Sequence, residues 1–449
     1  MTKPNKGQHV GIRFSGSAAA CWLVVGFFSL LCIQPSGAGE SAWVNSMDNQ
    51  LGGHFKLEGG VTGYDAGSYF EPTGTHTGKD GLVGARLTDT LVLSDTVYVE
   101  AHYEAFLKWG DTYEKRYDLQ QYGPLPVAGL VQDPSAMDNR RLFDLTKTIE
   151  KTDDDIAWHR LDRLFFSIKL SRGDIRVGRQ AVTWGNGFMF NPMDLFNPFA
   201  PSDTVRDYKM GDDLVLVRWD TERFGEADLL YVPRRNATGD IDFQSASMAG
   251  KLHFFAEDIE MDIMGAWHYD EAVLGLGVTG YLGDAAWRTD VVWSTLKTAN
   301  NDNGYVAVVA NIDTSWVWFN KNLYGLIEYY HNGLGKHHYT DALGDPDVME
   351  RIDRGELFVL GKHYLGGRIQ VELHPLLNVY LSVINNVTDP SGIVQPWAVW
   401  NVTQNSTLHF GATLFYGKKG SEYGGYLIPG TSYYTNAAPN AFVQFTYYF

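Results

Sequence analysis

The chain ends Asn440-Ala-Phe-Val-Gln-Phe-Thr-Tyr-Tyr-Phe449, with Ala441, Val443, Phe445, Tyr447 and Phe449 on one parity and Asn440, Gln444 and Thr446 on the other. Successive side chains of a strand point to opposite faces, so this segment reads as a strand with one oily side and an aromatic at its rim. The pattern recurs. Val97, Val99, Ala101, Tyr103, Ala105 and Leu107 alternate with Tyr98, Glu100, His102, Glu104 and Phe106. Ile259, Met261, Ile263, Trp267 and Tyr269 face away from Glu260, Asp262, His268 and Asp270, and Ile369, Val371 and Leu373 face away from Arg368, Gln370, Glu372 and His374. Period two at this frequency argues for strands and against helices.

A soluble sandwich or propeller also alternates, and its solvent face is also charged. Three features favour a bilayer-spanning barrel, whose outer face is apolar and whose interior is wet. The first is the aromatic-rich strand ends, such as Tyr329-Tyr330 and Tyr447-Tyr448. The second is the composition: aromatics reach 14%, yet no stretch after residue 38 is long and apolar enough for a spanning helix. The third is the sorting of connections. Short turns (Ser171–Asp174, Ala256–Asp258, Leu282–Asp284, His374–Leu376, Thr403–Ser406) tend to alternate with long polar loops (65–81, 110–158, 184–211, 332–356, 417–439). Counting strands between them gives 18, with 16 as the alternative. The ambiguous stretches are Asp212 to Tyr231, where parity is unclear, and Ile312 to Phe319, which reads equally as a turn or a strand end.

The N-terminus supplies an address. Lys3, Lys6 and Arg13 precede the apolar run Ala18–Ile33, and Ser36 and Ala38 are small, as a secretory signal cleaved after Ala38 requires. The expected organisation is a signal peptide over 1–38, a short periplasmic segment over 39–54 and an all-β transmembrane antiparallel barrel over 55–449. Both cysteines, Cys21 and Cys32, fall in the signal, so the mature chain has no disulfide framework, thiolate metal site or cysteine nucleophile. Removing three basic residues takes the formal charge from -17 to -20, with 33 Lys and Arg against 53 Asp and Glu, which excludes nucleic acid as an expected partner. No cofactor is expected. His337-His338 near Asp341 and Asp345 lacks a metal-site pattern, and no serine pairs by spacing with His102, His253 or His409, so an enzyme ranks last.

The segment richest in chemistry is Asp174–Asp207. It begins as a strand and breaks at Trp184-Gly-Asn-Gly187. Asn191-Pro192 and Asn197-Pro198 then force turns and exclude ladder pairing. Phe188, Phe190, Met193, Leu195, Phe196 and Phe199 are too apolar for a loop in water, so the loop is expected to pack inward on the barrel wall or to seal the rim. Inward packing makes Arg176, Arg179, Trp184, Asn191, Asp194, Asn197, Asp203, Arg206 and Asp207 the candidates for a pore constriction. A salt-bridge network holding the loop is the alternative role for its charges. Trp184, Phe188, Phe190 and Tyr208 are candidates for stacking on sugar rings. On the inferred inner parity, Lys56, Glu58, Glu100, His102, Glu104, Arg163, Lys169, Glu260, Asp262, Arg288, Asp290, Arg368 and Glu372 are expected to line the lumen.

Gly178-Arg-Gln180, Trp184-Gly185 and Asn191-Pro-Met-Asp-Leu-Phe-Asn-Pro198 resemble the strand-plus-loop signature of bacterial outer-membrane porin-like barrels, and more distantly alginate-export barrels and carbohydrate-selective porins. The acidic inner parity departs from the strongly basic lumen of the alginate exporters. The resemblance implies a channel for small polar or ionic solutes in the outer membrane of a Gram-negative envelope, in contact with lipid and lipopolysaccharide. It also implies that the barrel-assembly machinery reads Phe449 as an insertion signal, and it leaves homo-oligomerisation open. A structural barrel sheathing a multihaem electron conduit is the second reading.

Overall fold

The computed structural model describes residues 48–121, 133–206, 208–221, 225–297 and 304–449. The expected signal segment and the constriction candidate Asp207 lie outside the described residues. The first half of the chain forms β1 (Asp48–Gly63), β2 (Thr77–Ser94), β3 (Val97–Gly110), β4 (Thr146–Lys151), β5 (Asp155–Leu170), β6 (Gly173–Gln180), β7 (Asp212–Asp220), β8 (Glu226–Val232) and β9 (Ser247–Ala256). The second half forms β10 (Ile259–His268), β11 (Glu271–Leu282), β12 (Ala285–Ser294), β13 (Tyr305–Trp318), β14 (Lys321–Asn332), β15 (His363–His374), β16 (Leu377–Asn386), β17 (Ser391–Thr403), β18 (Ser406–Tyr416) and β19 (Asn440–Tyr448). Among the described residues the first strand starts at Asp48, whereas the barrel expected from the sequence begins at residue 55.

All nineteen strands belong to one antiparallel sheet, and β1 pairs with both β2 and β19, so the sheet closes on itself. Eighteen of them form an up-and-down wall. The nineteenth, β4, belongs to the long connection after β3, which also carries α1 (Asp111–Gln121). It pairs along the upper half of β5, at Thr146↔Arg160 to Lys151↔Ile156, on the edge that β6 occupies lower down. The two ambiguous stretches settle simply. Residues 212–231 hold two strands, β7 and β8, and Ile312 lies within the single strand β13, which turns at Phe319 and Asn320. Both turn residues have positive φ, at 48° and 56°, the conformation of a two-residue hairpin with the strands' own twist.

Parity decides which face each side chain sees. Leu57, Phe166, Leu229, Ile263, Leu274, Ile327, Leu365 and Val443 are exposed and point outward, as do Trp267 and Trp293. An apolar belt around the whole wall is incompatible with water and matches a bilayer, in which a closed barrel alone leaves no unpaired strand edge. The opposite parity buries Glu104, Ser167, Asp228, Asp290, Glu328 and Gln444. A bulge where His102↔Arg163 is followed by Tyr103↔Leu161 leaves Asp162 as an extra residue on β5, and Asp162 and Arg163 are both buried and joined by a 2.8 Å ion pair.

The short turns gather at one end and most long loops at the other. The exceptions are Tyr269-Asp270, a tight two-residue turn at the long-loop end, and the brief 387–390 connection.

Candidate functional site: the inward loop after β6

The loop 181–211 runs across the inside of the wall, held by side chains from strands far away in sequence. Trp184 Nε1 donates to Asp228 of β8 at 3.1 Å. Asn186 donates from its backbone N–H and its amide to Asp290 of β12, at 2.6 and 2.8 Å, and its carbonyl accepts from Asn311 of β13 at 3.0 Å. The Glu328 carboxylate of β14 accepts three consecutive backbone N–H groups, from Phe188 (2.7 Å), Met189 (2.9 Å) and Phe190 (2.8 Å). Gln395 of β17 donates to the Ser202 carbonyl at 2.9 Å. The loop is thus inside the barrel and not above its rim.

Local sequence explains the path. Gly185 adopts φ +88°, and a Cβ at Gly187 would lie 1.8 Å from the Phe190 carbonyl oxygen, so only glycine permits the tight reversal that presents three N–H groups to one carboxylate. Trp184, Met193 and Phe196 then pack with Leu214, Leu216, Leu230, Met264 and Val292 of the inner wall, while Phe190 stacks on Tyr330 at 4.6 Å and 8°. The base of the loop is closed by Lys209, whose Nζ donates to both Asp194 oxygens (2.6 and 2.7 Å) and to the Val182 carbonyl (2.6 Å). Burial pushes Asp194 up to about 6 against the attraction of Lys209, and it pushes Lys209 down.

A second long loop, 333–362, adds α2 (Tyr339–Leu343) and α3 (Pro346–Asp353) to the same side. Ala342, Val348, Leu357 and Val359 join Met189 and Phe190 in one buried cluster against Tyr330, Tyr364 and Ile384. Arg351 reaches Glu271 of β11 at 2.7 Å. A third loop, 417–439, is pinned by Glu422, which accepts from Leu360 N–H (2.7 Å), Tyr364 hydroxyl (2.6 Å) and Asn386 amide (2.7 Å). A cavity of about 1190 Å³ opens at the long-loop end, with Arg141, Asn197, Arg206, Asp212, Arg234 and Glu356 among its lining.

The constriction candidates divide. Asp203 and Arg206 form a 3.3 Å pair with Arg206 half-exposed, on the stretch that leads from the Ser202 tether to Tyr208. Tyr208 lies under the Arg86 guanidinium, 3.6 Å from ring centroid to carbon. Arg176 faces inward beside Asp174 at 2.6 Å. Asn191 braces the loop on the Trp184 carbonyl at 2.9 Å, and Asn197 lines the cavity with φ +53°. Two candidates are withdrawn from the lumen. Arg179 shares the parity of outward Leu164 and is 2% exposed, because Asp213 and Asp138 clamp its guanidinium at 2.9 and 3.0 Å. Asp194 is the latch described above. Trp184 and Phe190 are likewise packed against the wall, which removes them as stacking faces for a solute and leaves Phe188 and Tyr208.

The lumen candidates all lie on the inward parity. Lys56, Glu58, Glu100, His102, Arg288 and Arg368 are partly exposed, and Lys169, Glu260 and Glu372 lie toward the short-turn end. Glu104 is buried between Arg86 and Arg160; Arg163 holds the Lys209 carbonyl as well as Asp162; Asp262 pairs with Lys251 and His253; and Asp290 is committed to the loop. Arg288 pairs with Asp313 and stands 4.9 Å from the Phe188 ring. Sequence reasoning missed Glu328, the principal tether. Its only signal was an acid on a strand between Ile327 and Tyr329, and nothing local couples it to residue 188.

No protein-family model and no curated protein matches the chain in sequence. Among solved structures, OccAB2 of Acinetobacter baumannii aligns over 91% of this chain and 99% of its own, at 9% identity and a TM-score of 0.51. OccAB1 of the same organism covers 89% and 96%, at 11% identity and a TM-score of 0.50. A BenF-like porin of Pseudomonas fluorescens Pf-5 covers 90% and 98%, at 9% identity and a TM-score of 0.50. The fold is that of a porin. At these identities the likeness extends to the porin barrel and not to the residues that face its lumen.

Proposed function

We propose that this chain is an outer-membrane channel for passive passage of small polar solutes, narrowed by the 181–211 loop. The observation that carries this reading is the tethering of the loop to β8, β12, β13, β14 and β17, which fixes it across the lumen instead of leaving it to seal the rim. Inward charges of both signs beside the remaining gap suit polar and ionic solutes and repel apolar ones. In this reading the outward belt faces lipid, lipopolysaccharide surrounds the long-loop end, and the terminal strand is the one presented to the assembly machinery.

A sheath for an electron conduit needs a lumen free for a partner. Here Glu328, Asp290 and Gln395 are already engaged by the chain's own loop, and 333–362 fills the wall beside it. The test is reconstitution of the purified protein into planar bilayers. A folded protein, judged by heat-modifiable gel migration, is expected to give an ohmic single-channel current. A folded, inserted protein with no current refutes the channel.

A further inference from the structure

The two inward loops crowd β8–β14 and the long-loop ends of β15–β17, so the wall below and beside them is what a solute touches. One register row on that wall is rich in rings. Tyr324 of β14 is paired with Gln370, Gln370 with Tyr380, Tyr380 with Trp397, Trp397 with Gly411, and Gly411 with Phe442 of β19. All six positions share the inward parity, and the four rings are partly exposed, unlike Trp184 and Phe190. Tyr324 lies just past the short turn at Asn320, whereas Phe442 lies just inside the long-loop end of β19. A row of paired residues runs perpendicular to strands that themselves tilt by roughly 40° in such barrels, so this row climbs obliquely from one mouth toward the other.

Ring contact along the row is close. Tyr380 and Trp397 stack in parallel at 3.6 Å and 4°. His409 then bridges Trp397, at 5.2 Å, to Phe442, at 5.0 Å. A Cβ on Gly411 would meet Trp397 Cβ at 2.6 Å and the Pro396 carbonyl at 2.9 Å, so no side chain rises from that position to interrupt the surface. Polar groups edge it. Arg368 stands 5.8 Å from the Trp397 ring and uses its Nε on Ser382 at 3.0 Å. Gln370 and Glu372 hold Asn378 and Asn322 at 3.1 and 3.0 Å. The Trp397 indole N–H is buried and has no hydrogen-bond partner among the described residues, so it is the ring and not its N–H that the track presents. The track passes directly below the constriction, because Gln395, the next inward residue of β17 toward the loops, carries the Ser202 tether.

We infer that this oblique row is a binding track for sugar rings, with Tyr380 and Trp397 as its central subsite. A pyranose has a flat C–H face that stacks on an aromatic ring and a rim of hydroxyls that both donate and accept. Arginine, amide, hydroxyl and carboxylate groups beside the rings keep further donor and acceptor positions that match that rim, whereas a plain aromatic solute would engage none of them. The inference rests on the channel reading and assigns its solute class.

The experiment measures ion current through the full-length protein in planar bilayers while the linear trisaccharide maltotriose is added, each variant being normalised to its own sugar-free current. Saturable block is expected for the wild type, with the half-blocking concentration raised at least tenfold in Trp397→Ala and in Tyr380→Ala and unchanged in Trp267→Ala on the lipid face. Wild-type current that is insensitive to maltotriose, or block that persists in both ring variants, overturns the track while leaving the channel standing. Block by benzoate without block by maltotriose overturns the sugar assignment. If the protein carries no current, the channel reading fails by itself. Maltotriose titration of tryptophan fluorescence in detergent then decides the track, with a saturable change expected in the wild type and its loss in Trp397→Phe; no change in the wild type overturns it.

Discussion

Glu328 concentrates the attachment of the inward loop in one side chain. Its carboxylate is fully buried and accepts three backbone N–H groups of residues 188–190, with Asn311 as a fourth donor at 3.3 Å. In Glu328→Gln, the amide oxygen can replace Oε1 and keep Met189 and Phe190, but the NH2 then confronts the Phe188 N–H. The Phe188 bond is lost and its buried donor orphaned, and the longer Asn311 bond, accepted by the same Oε2, goes with it, which together destabilise the seated loop by about 2 to 4 kcal/mol. At about 1.4 kcal/mol per factor of ten, that raises the opening equilibrium roughly 30- to 700-fold. The barrel ladder is untouched, so unfolding of the whole protein should shift little. Hydrogen exchange at the Phe188–Phe190 amides should accelerate by the stated factor, and single-channel records should gain open-state noise or a larger conductance. Unchanged exchange at these amides in a folded Glu328→Gln protein would falsify the claim that this carboxylate seats the loop.

Lys209→Met leaves Asp194 buried without its cation and should loosen the loop base by about 3 to 5 kcal/mol, read as new protease cleavage between 182 and 209 with the barrel intact. Burial raises Glu422 to about 7, above its ordinary carboxyl value, so its contribution to anchoring the 417–439 loop is fully present below about pH 4.5 and lost as pH rises through about 7. Proteolysis of that loop should increase between pH 6 and pH 8, and Glu422→Gln should flatten the dependence. Phe449 exchanges backbone hydrogen bonds with Gly53 at 3.1 Å in each direction. Deleting it should reduce insertion while leaving export intact; normal membrane levels of the truncated protein would count against its role in assembly.

The wall was legible because alternation is a local property and most strands keep one parity from end to end. Legibility failed where the chain departs from a simple meander. At Asp162 a bulge sends two neighbours inward, and a period-two reading has no symbol for that. β4 lies inside a long loop and pairs on an edge that exists only because β6 stops at Gln180. The aromatic and apolar content of 184–199 announced an inward-packed loop, yet its anchors come from residues 228, 290, 311, 328 and 395, and no local pattern reaches that far. For the same reason Arg179 looked like a pore residue. Its neighbour Gly178 is at a strand end in the sequence, but its own acids, Asp138 and Asp213, arrive from two separate loops and strands.

The wide sequence separation of those anchors has a consequence for a wall that is only partly built. The segment between β6 and β7 is received by Asp228, Asp290, Asn311, Glu328 and Gln395, so it is seated only when β8, β12 to β14 and β17 are all in place. Whatever the order of strand addition, a barrel lacking one of these strands would hold the segment less firmly and leave a wider opening than the finished one.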